Sequence, residues 1–166
     1  MAGPFSRLSR HLGRKPLSVA FRTIAFGVTF AVALLPLLVV DDWLLLPSLA
    51  GSAIILFALP HSNMAQPRSL FGGHLIAATI GAGFALVFGE GMWVLVVATT
   101  LAYLLMTLSE TIHSPAGADP MIAIASGADP VTLFVALAVG LALLFDGVLL
   151  SHNRLHRQRR YPRSWW

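Results

Sequence analysis

Apolar residues run along this chain in six blocks, set apart by charges, prolines and glycines. The first, 19–40, has about the length that crosses a hydrocarbon core as a helix; Pro36 should kink it near its end, and Asp41 and Asp42 close it. In the second, 44–59, Pro47 separates 44–46 from a helix that begins near Ser48. A polar loop, 61–69, leads to the third block, 70–88, which ends at Gly89, Glu90 and Gly91. The fourth, 92–108, ends at Ser109 and Glu110. The fifth, 115–125, is too short for a regular span and has the length of a re-entrant or broken helix. The sixth, 131–150, opens after Pro130, a residue suited to a first helical turn. The pattern predicts an all-α polytopic helical membrane protein with four long transmembrane helices and two short or broken ones. A transmembrane domain at 19–150 is flanked by basic segments at 1–18 and 151–166.

Composition strengthens this picture. Of 166 residues, 57% are hydrophobic and 11% charged, against roughly a quarter charged in soluble domains. So few charges could not cover a soluble surface. Of 11 Lys and Arg, Arg7, Arg10, Arg14, Lys15 and Arg22 precede or begin the first block; Arg154, Arg157, Arg159, Arg160 and Arg163 follow the last; only Arg68 lies between. The net charge of +4 therefore describes two basic tails and not a nucleic-acid-binding face. By the positive-inside rule both termini are cytoplasmic, which requires an even number of crossings. Residues 21–40 are longer than a signal-peptide core and carry no small-x-small cleavage site, so they read as a retained span. With no cysteine, disulfides, thiolate metal sites and cysteine nucleophiles are excluded.

The two halves, 19–89 and 92–150, share a weak repeat. Ser48-Leu49-Ala50-Gly51-Ser52-Ala53 leads into one short apolar run, and Ser114-Pro115-Ala116-Gly117-Ala118-Asp119 into the other. Each lies between two longer blocks, and if every block crosses, the halves form a 3+3 inverted repeat. The two helix starts would then converge from opposite faces near the midplane, where unpaired amides and positive dipole ends favour an anion. Gly51 and Gly117 would allow close approach of a permeant species, and Ser48, Ser52 and Ser114 would add hydroxyl donors. Close helix packing through small residues is the equally weighted and compatible reading.

At these residues the sequence resembles the HPP family of small integral membrane proteins. The family motif H-P-P-A-G-A stands as His113-Ser114-Pro115-Ala116-Gly117-Ala118, with Ser114 in place of the first proline. A second family block, S-P-L-A-Q-P-R-N-x-x-G-G-H, stands as Ser62-Asn63-Met64-Ala65-Gln66-Pro67-Arg68-Ser69-Leu70-Phe71-Gly72-Gly73-His74, where Asn63 replaces a proline and Ser69 an asparagine. The resemblance implies membrane transport, and by analogy with plant chloroplast members a small monovalent anion, nitrite first.

The remaining candidates weigh less. His61, His74 and His113 have no second histidine or carboxylate at helical spacing, which argues for a hydrogen-bonding or proton-linked role over a metal site. Arg68 could pair with Glu110, draw anions to the inner mouth, or simply mark the cytoplasmic side. Asp146 and Arg22 lie at similar depth and could pair. Thr99, Tyr103 and Thr107 give the fourth block one polar face, for a pore or a neighbouring helix, whereas Gly73, Ala77 and Gly81 form a stripe that reads as packing. Trp43, Trp93, Trp165 and Trp166 read as interfacial anchors. No acidic orienter is evident for Ser114 beside His113, so no enzyme is expected. The sequence thus anticipates a channel or transporter in a bacterial inner membrane, its partners a small inorganic anion and the lipid bilayer, with no nucleic acid and no cofactor. Self-association and a scaffold role without transport stay open.

Overall fold

In the computed structural model, which describes residues 16–40, 43–127, 129–155 and 161–165, the six blocks become helices. Helix α1 (Pro16–Ala33) stops at Leu34 and resumes as the short α2 (Leu35–Val40). The break has a local cause, because Pro36 has no N–H to continue the ladder, and Leu37 N bonds Leu34 O instead. A 3₁₀ turn, Trp43–Leu45, precedes α3 (Leu46–Ala58), whose Pro47 sits in the first turn. Another, Asn63–Ala65, leads into α4 (Pro67–Phe88). The third block therefore begins three residues earlier than the sequence suggested: Pro67 lies within the first turn, where a missing N–H costs nothing. Gly89, at φ 69, ends α4.

Helix α5 (Met92–Leu108) matches its block. The fifth block splits into a 3₁₀ stretch, Ser114–Ala118, and the seven-residue α6 (Asp119–Ala125). Asp129 caps α7 (Pro130–Leu149) by accepting from Thr132 N, and a π-helical turn, Leu150–Leu155, extends it.

Three of the four expected long spans have the length and composition to cross a bilayer. Among the described residues three helical stretches are long and apolar enough to cross a bilayer: Val19–Val39, Pro67–Phe88 and Pro130–Asn153. Helix α5, with 17 residues or roughly 25 Å at 1.5 Å per residue, lies at the lower limit of the roughly 17–25 residues that span a bilayer core.

Two close pairs organise the bundle: α1 packs on α7, and α4 packs on α5. Glycine makes the first close. A Cβ on Gly147 would lie 2.3 Å from Thr29 Cγ2, and one on Gly140 would lie 3.0 Å from Leu49 Cδ1 and 3.1 Å from the Ala33 carbonyl. The same contact explains why the expected Arg22–Asp146 ion pair is absent among the described residues. Gly147 is the residue turned toward α1, so Asp146, one position round the helix, is exposed.

The fifth block lies along the small-residue stripe of α4. A Cβ on Gly73 would stand 2.9 Å from His113 Cβ and from the Thr111 carbonyl, and one on Gly81 would stand 2.5 Å from Pro120 Cα. Ala77 between them is fully buried. The stripe is a packing surface, as its spacing indicated. Trp43, Trp93 and Trp165 are exposed, while Trp166, Asp41, Asp42 and most of the basic tails lie outside the described residues.

Candidate functional site

The two S-x-A-G segments meet. Their contact is antiparallel: a Cβ on Gly51 would stand 3.1 Å from Pro115 Cβ, and Ser48 Oγ donates to Asp119 Oδ1 at 2.6 Å. Small side chains at Ser48, Gly51 and Ser52 let the chains approach this closely. The two segments lie against each other, but the anion that faces them is the chain's own Asp119, in the first turn of α6.

From that carboxylate a buried polar chain runs through three segments. His74 Nδ1 lies 2.6 Å from Asp119 Oδ2, and His74 Nε2 lies 2.9 Å from Ser52 Oγ. Ser52 Oγ is also 2.9 Å from His113 Nε2 and 2.9 Å from the Ser48 carbonyl. His113 Nδ1, in turn, is 2.6 Å from the Met64 carbonyl. A carbonyl only accepts, so His113 carries its proton on Nδ1. The imidazole centroids are 5.0 Å apart. Ser48, Ser52, His74, His113 and Asp119 are each at most 1% exposed. Polar groups sequestered this deeply must satisfy one another, and in a membrane interior they mark function by default.

Other predicted residues frame this chain without entering it. Ser114 is exposed; Ala50, Pro115, Gly117 and Ala118 are half-buried; Ala116 is fully buried. Gly117 has open space where a Cβ would project, so it is not the close-approach point that Gly51 is. In the second motif, Gln66 ties loops together: its Nε2 donates to Pro60 O and Ser62 O, and its Oε1 accepts from Arg163 N at 2.8 Å and Ser164 N at 3.2 Å. Tyr161 OH reinforces the tie by donating to Ala65 O at 2.5 Å. Gly72 and Gly73 give room to Thr111 and His113. Arg68 donates to the Ser109 carbonyl at 2.7 Å, at the C-terminal end of α5, instead of pairing with Glu110. Tyr103 and Thr107 are exposed, and Thr107 bonds back to the Tyr103 carbonyl, so this face of α5 points outward at its C-terminal end, while the Thr99 hydroxyl is buried without a partner among the described residues.

Clefts lie at both ends of α4. One, of about 500 Å³, is lined by Met64, Gln66, Arg68, Thr107, Glu110 and Ser164 among others. The other, of about 300 Å³, is lined by Gly89, Glu90, Ala123, Asp129 and neighbours. His113, bonded to Met64, stands beside the first; buried Ala82 and Ala123 line the second.

Sequence reasoning named His74, His113, Ser48 and Ser52 separately but missed Asp119. The available signal was an acid inside an apolar block, a position that carries function by default.

Two transmembrane proteins of Dictyostelium discoideum are 35% and 34% identical to this chain over 131 residues, 74% of its length. The aligned regions are 42% and 45% of those proteins, so the chain spans less than half the length of the curated relatives it matches. No solved structure matches it. The model of the HPP transmembrane region matches residues 13–162. Together with three helices long enough to cross a bilayer, this makes the protein an integral membrane protein, and the chain belongs to the HPP transmembrane-region family.

Proposed function

We propose that this protein is a transporter for a small monovalent anion, nitrite first, in which the permeant species passes between the two clefts beside the crossing of α3 with the 114–125 segment. The observation that carries this reading is a fully buried polar chain at the meeting of two short helices, between openings at opposite ends of α4. A structural membrane protein has no need of it, because apolar side chains would pack the same space without desolvating polar groups. The pairing of α1 with α7 and of α4 with α5 supports the inverted 3+3 repeat, since exchanging the halves interchanges the two pairs. Arg68 is the basic residue at the first cleft and gives an anion reason to enter there. With both termini cytoplasmic, that cleft faces the cytoplasm. The crossing is closed in this conformation, with Ser48 and Ser52 fully buried, so the two short segments must part for passage.

Nitrite influx into proteoliposomes, measured against protein-free vesicles, tests the proposal. Protein-dependent uptake with anion selectivity is expected. Absence of uptake by folded protein, with a partner that copurifies in mild detergent, would favour a scaffold subunit instead.

A second reading has its own observation. Ser52, His74 and Asp119 stand in the order of nucleophile, base and orienting acid. Yet Ser52 is fully buried and its other side faces a second imidazole, which leaves no place for a carbonyl. Labelling of Ser52 by a fluorophosphonate in the folded protein would revive this hydrolase reading.

A further inference from the structure

We propose that Asp119, His74, Ser52 and His113 form a proton relay that holds one labile proton on the His74–Asp119 pair, and that this proton travels with the anion. The proposal rests on the transport reading for its second half; its first half follows from counting hydrogens.

Ser52 has one hydroxyl proton and three neighbours at 2.9 Å: His74 Nε2, His113 Nε2 and the Ser48 carbonyl. Because His113 Nδ1–H is committed to the Met64 carbonyl, neutral His113 presents a bare Nε2 to Ser52. If His74 were also neutral with its proton on Nδ1 toward an ionised Asp119, its Nε2 would be bare too. Two imidazole lone pairs would then compete for one hydroxyl proton, and a buried pair would carry an uncompensated negative charge. One added proton removes the negative charge and the contest between imidazoles, leaving the Ser48 carbonyl as the other acceptor near the Ser52 hydroxyl. His74 Nε2–H then donates to Ser52 Oγ, Ser52 O–H donates to His113 Nε2, and a single proton occupies the 2.6 Å bond between His74 Nδ1 and Asp119 Oδ2. Whether that bond is written as imidazolium–carboxylate or imidazole–carboxylic acid, the pair is net neutral.

The transfer that loads this state balances. His113 Nε2 is enclosed against Ser52 in this conformation, so a proton from cleft water binds it when the two short segments part. His113 Nε2–H passes to Ser52 Oγ as the Ser52 hydroxyl proton passes to His74 Nε2. His113 ends neutral, Ser52 ends a hydroxyl turned toward His113, and the positive charge ends beside Asp119. Other titratable groups on the surrounding elements are engaged elsewhere or point outward: Arg68 bonds Ser109, and His61, Glu110 and Asp146 are exposed. None of them hydrogen-bonds the relay among the described residues.

The coupling follows from sign. An anion that passes Asp119 meets a neutral pair when the extra proton is present and a negative one when it is absent. Passage with the proton is favoured, at one proton per anion.

Two measurements separate the parts. Nitrogen-15 NMR of His-labelled protein in bilayers at neutral pH should show a proton bonded to His74 Nε2 and a second shared between His74 Nδ1 and Asp119, with His113 neutral and its proton on Nδ1. A bare Nε2 on His74 would overturn the relay whatever the flux. In proteoliposomes, protein-dependent nitrite uptake should carry one proton per anion and ignore a clamped membrane potential, with the protein-free leak of nitrous acid subtracted. Asp119→Asn, in protein that keeps its wild-type elution and helicity, should lose most of that proton movement. Uptake that follows the potential with no proton movement would overturn the coupling while leaving the transport reading intact; no uptake at all would overturn the transport reading and, with it, the coupling.

Discussion

Replacing Asp119 by leucine removes the acceptor of two hydrogen bonds, from Ser48 Oγ at 2.6 Å and with His74 Nδ1 at 2.6 Å. Both partners are at most 1% exposed, so neither can turn to water. In a soluble core, stranding one member of a buried ion pair costs about 3–5 kcal/mol. Interhelical hydrogen bonds in bilayers average about 0.6 kcal/mol and reach about 1.7, because the chain unfolded within the membrane also finds partners. This contact is short and charge-assisted, which roughly doubles an ordinary bond. Asp119→Leu should therefore cost about 2–3 kcal/mol, between the two regimes. His74→Leu should cost a similar amount, while the double variant strands fewer groups and should show a coupling of about 1.5–2 kcal/mol. Reversible unfolding in mixed micelles, followed by circular dichroism for the wild type and all three variants, measures this cycle. Effects that add to within about 0.5 kcal/mol would refute the claim that the two side chains act as a pair.

Two further substitutions probe the packing that holds the relay in place. Gly81→Ala should destabilise by about 1–3 kcal/mol, because its Cβ would stand 2.5 Å from Pro120 Cα and 2.9 Å from Ala123 Cβ; Gly83→Ala, which meets open space on the same helix, should be neutral or stabilising, and equal effects at the two sites would contradict the stated contact. Glu110 has φ 55 at the end of α5, where Thr111 N bonds the Met106 carbonyl and Glu110 N the Thr107 carbonyl, the pattern that favours glycine. Glu110→Gly should raise the unfolding midpoint by relieving about 0.5–1 kcal/mol, and a lowered midpoint would speak against strain there.

The helix boundaries were legible because prolines and glycines mark them: Pro47, Pro67 and Pro130 each lie in the first turn of a helix, and Gly89 ends one. The meeting of the two S-x-A-G segments was legible as well, since small residues recur at matching places in the two halves. The relay was not. Helical spacing offers His74 and His113 no partner, because their partners lie 22, 45 and 61 residues away, brought together by separate segments. Asp119 was read only as one place in the repeat, although a lone acid at the start of an apolar run has to be neutralised by something. The Arg22–Asp146 pair failed for the opposite reason, because equal depth does not give equal azimuth, and Gly147 takes the face that looks at α1.

The chain has no cysteine, so an introduced pair reports on one contact alone. Gly51→Cys with Pro115→Cys places two Cβ atoms at a site where the spacing is now 3.1 Å, within a few tenths of the roughly 3.5–4.5 Å that a disulfide spans. Oxidation in proteoliposomes, scored by mass spectrometry alongside nitrite uptake, tests whether the two short helices meet and must part for passage. The account predicts that the bond forms, stops uptake, and releases it again on reduction. Full cross-linking with uptake unchanged would contradict it.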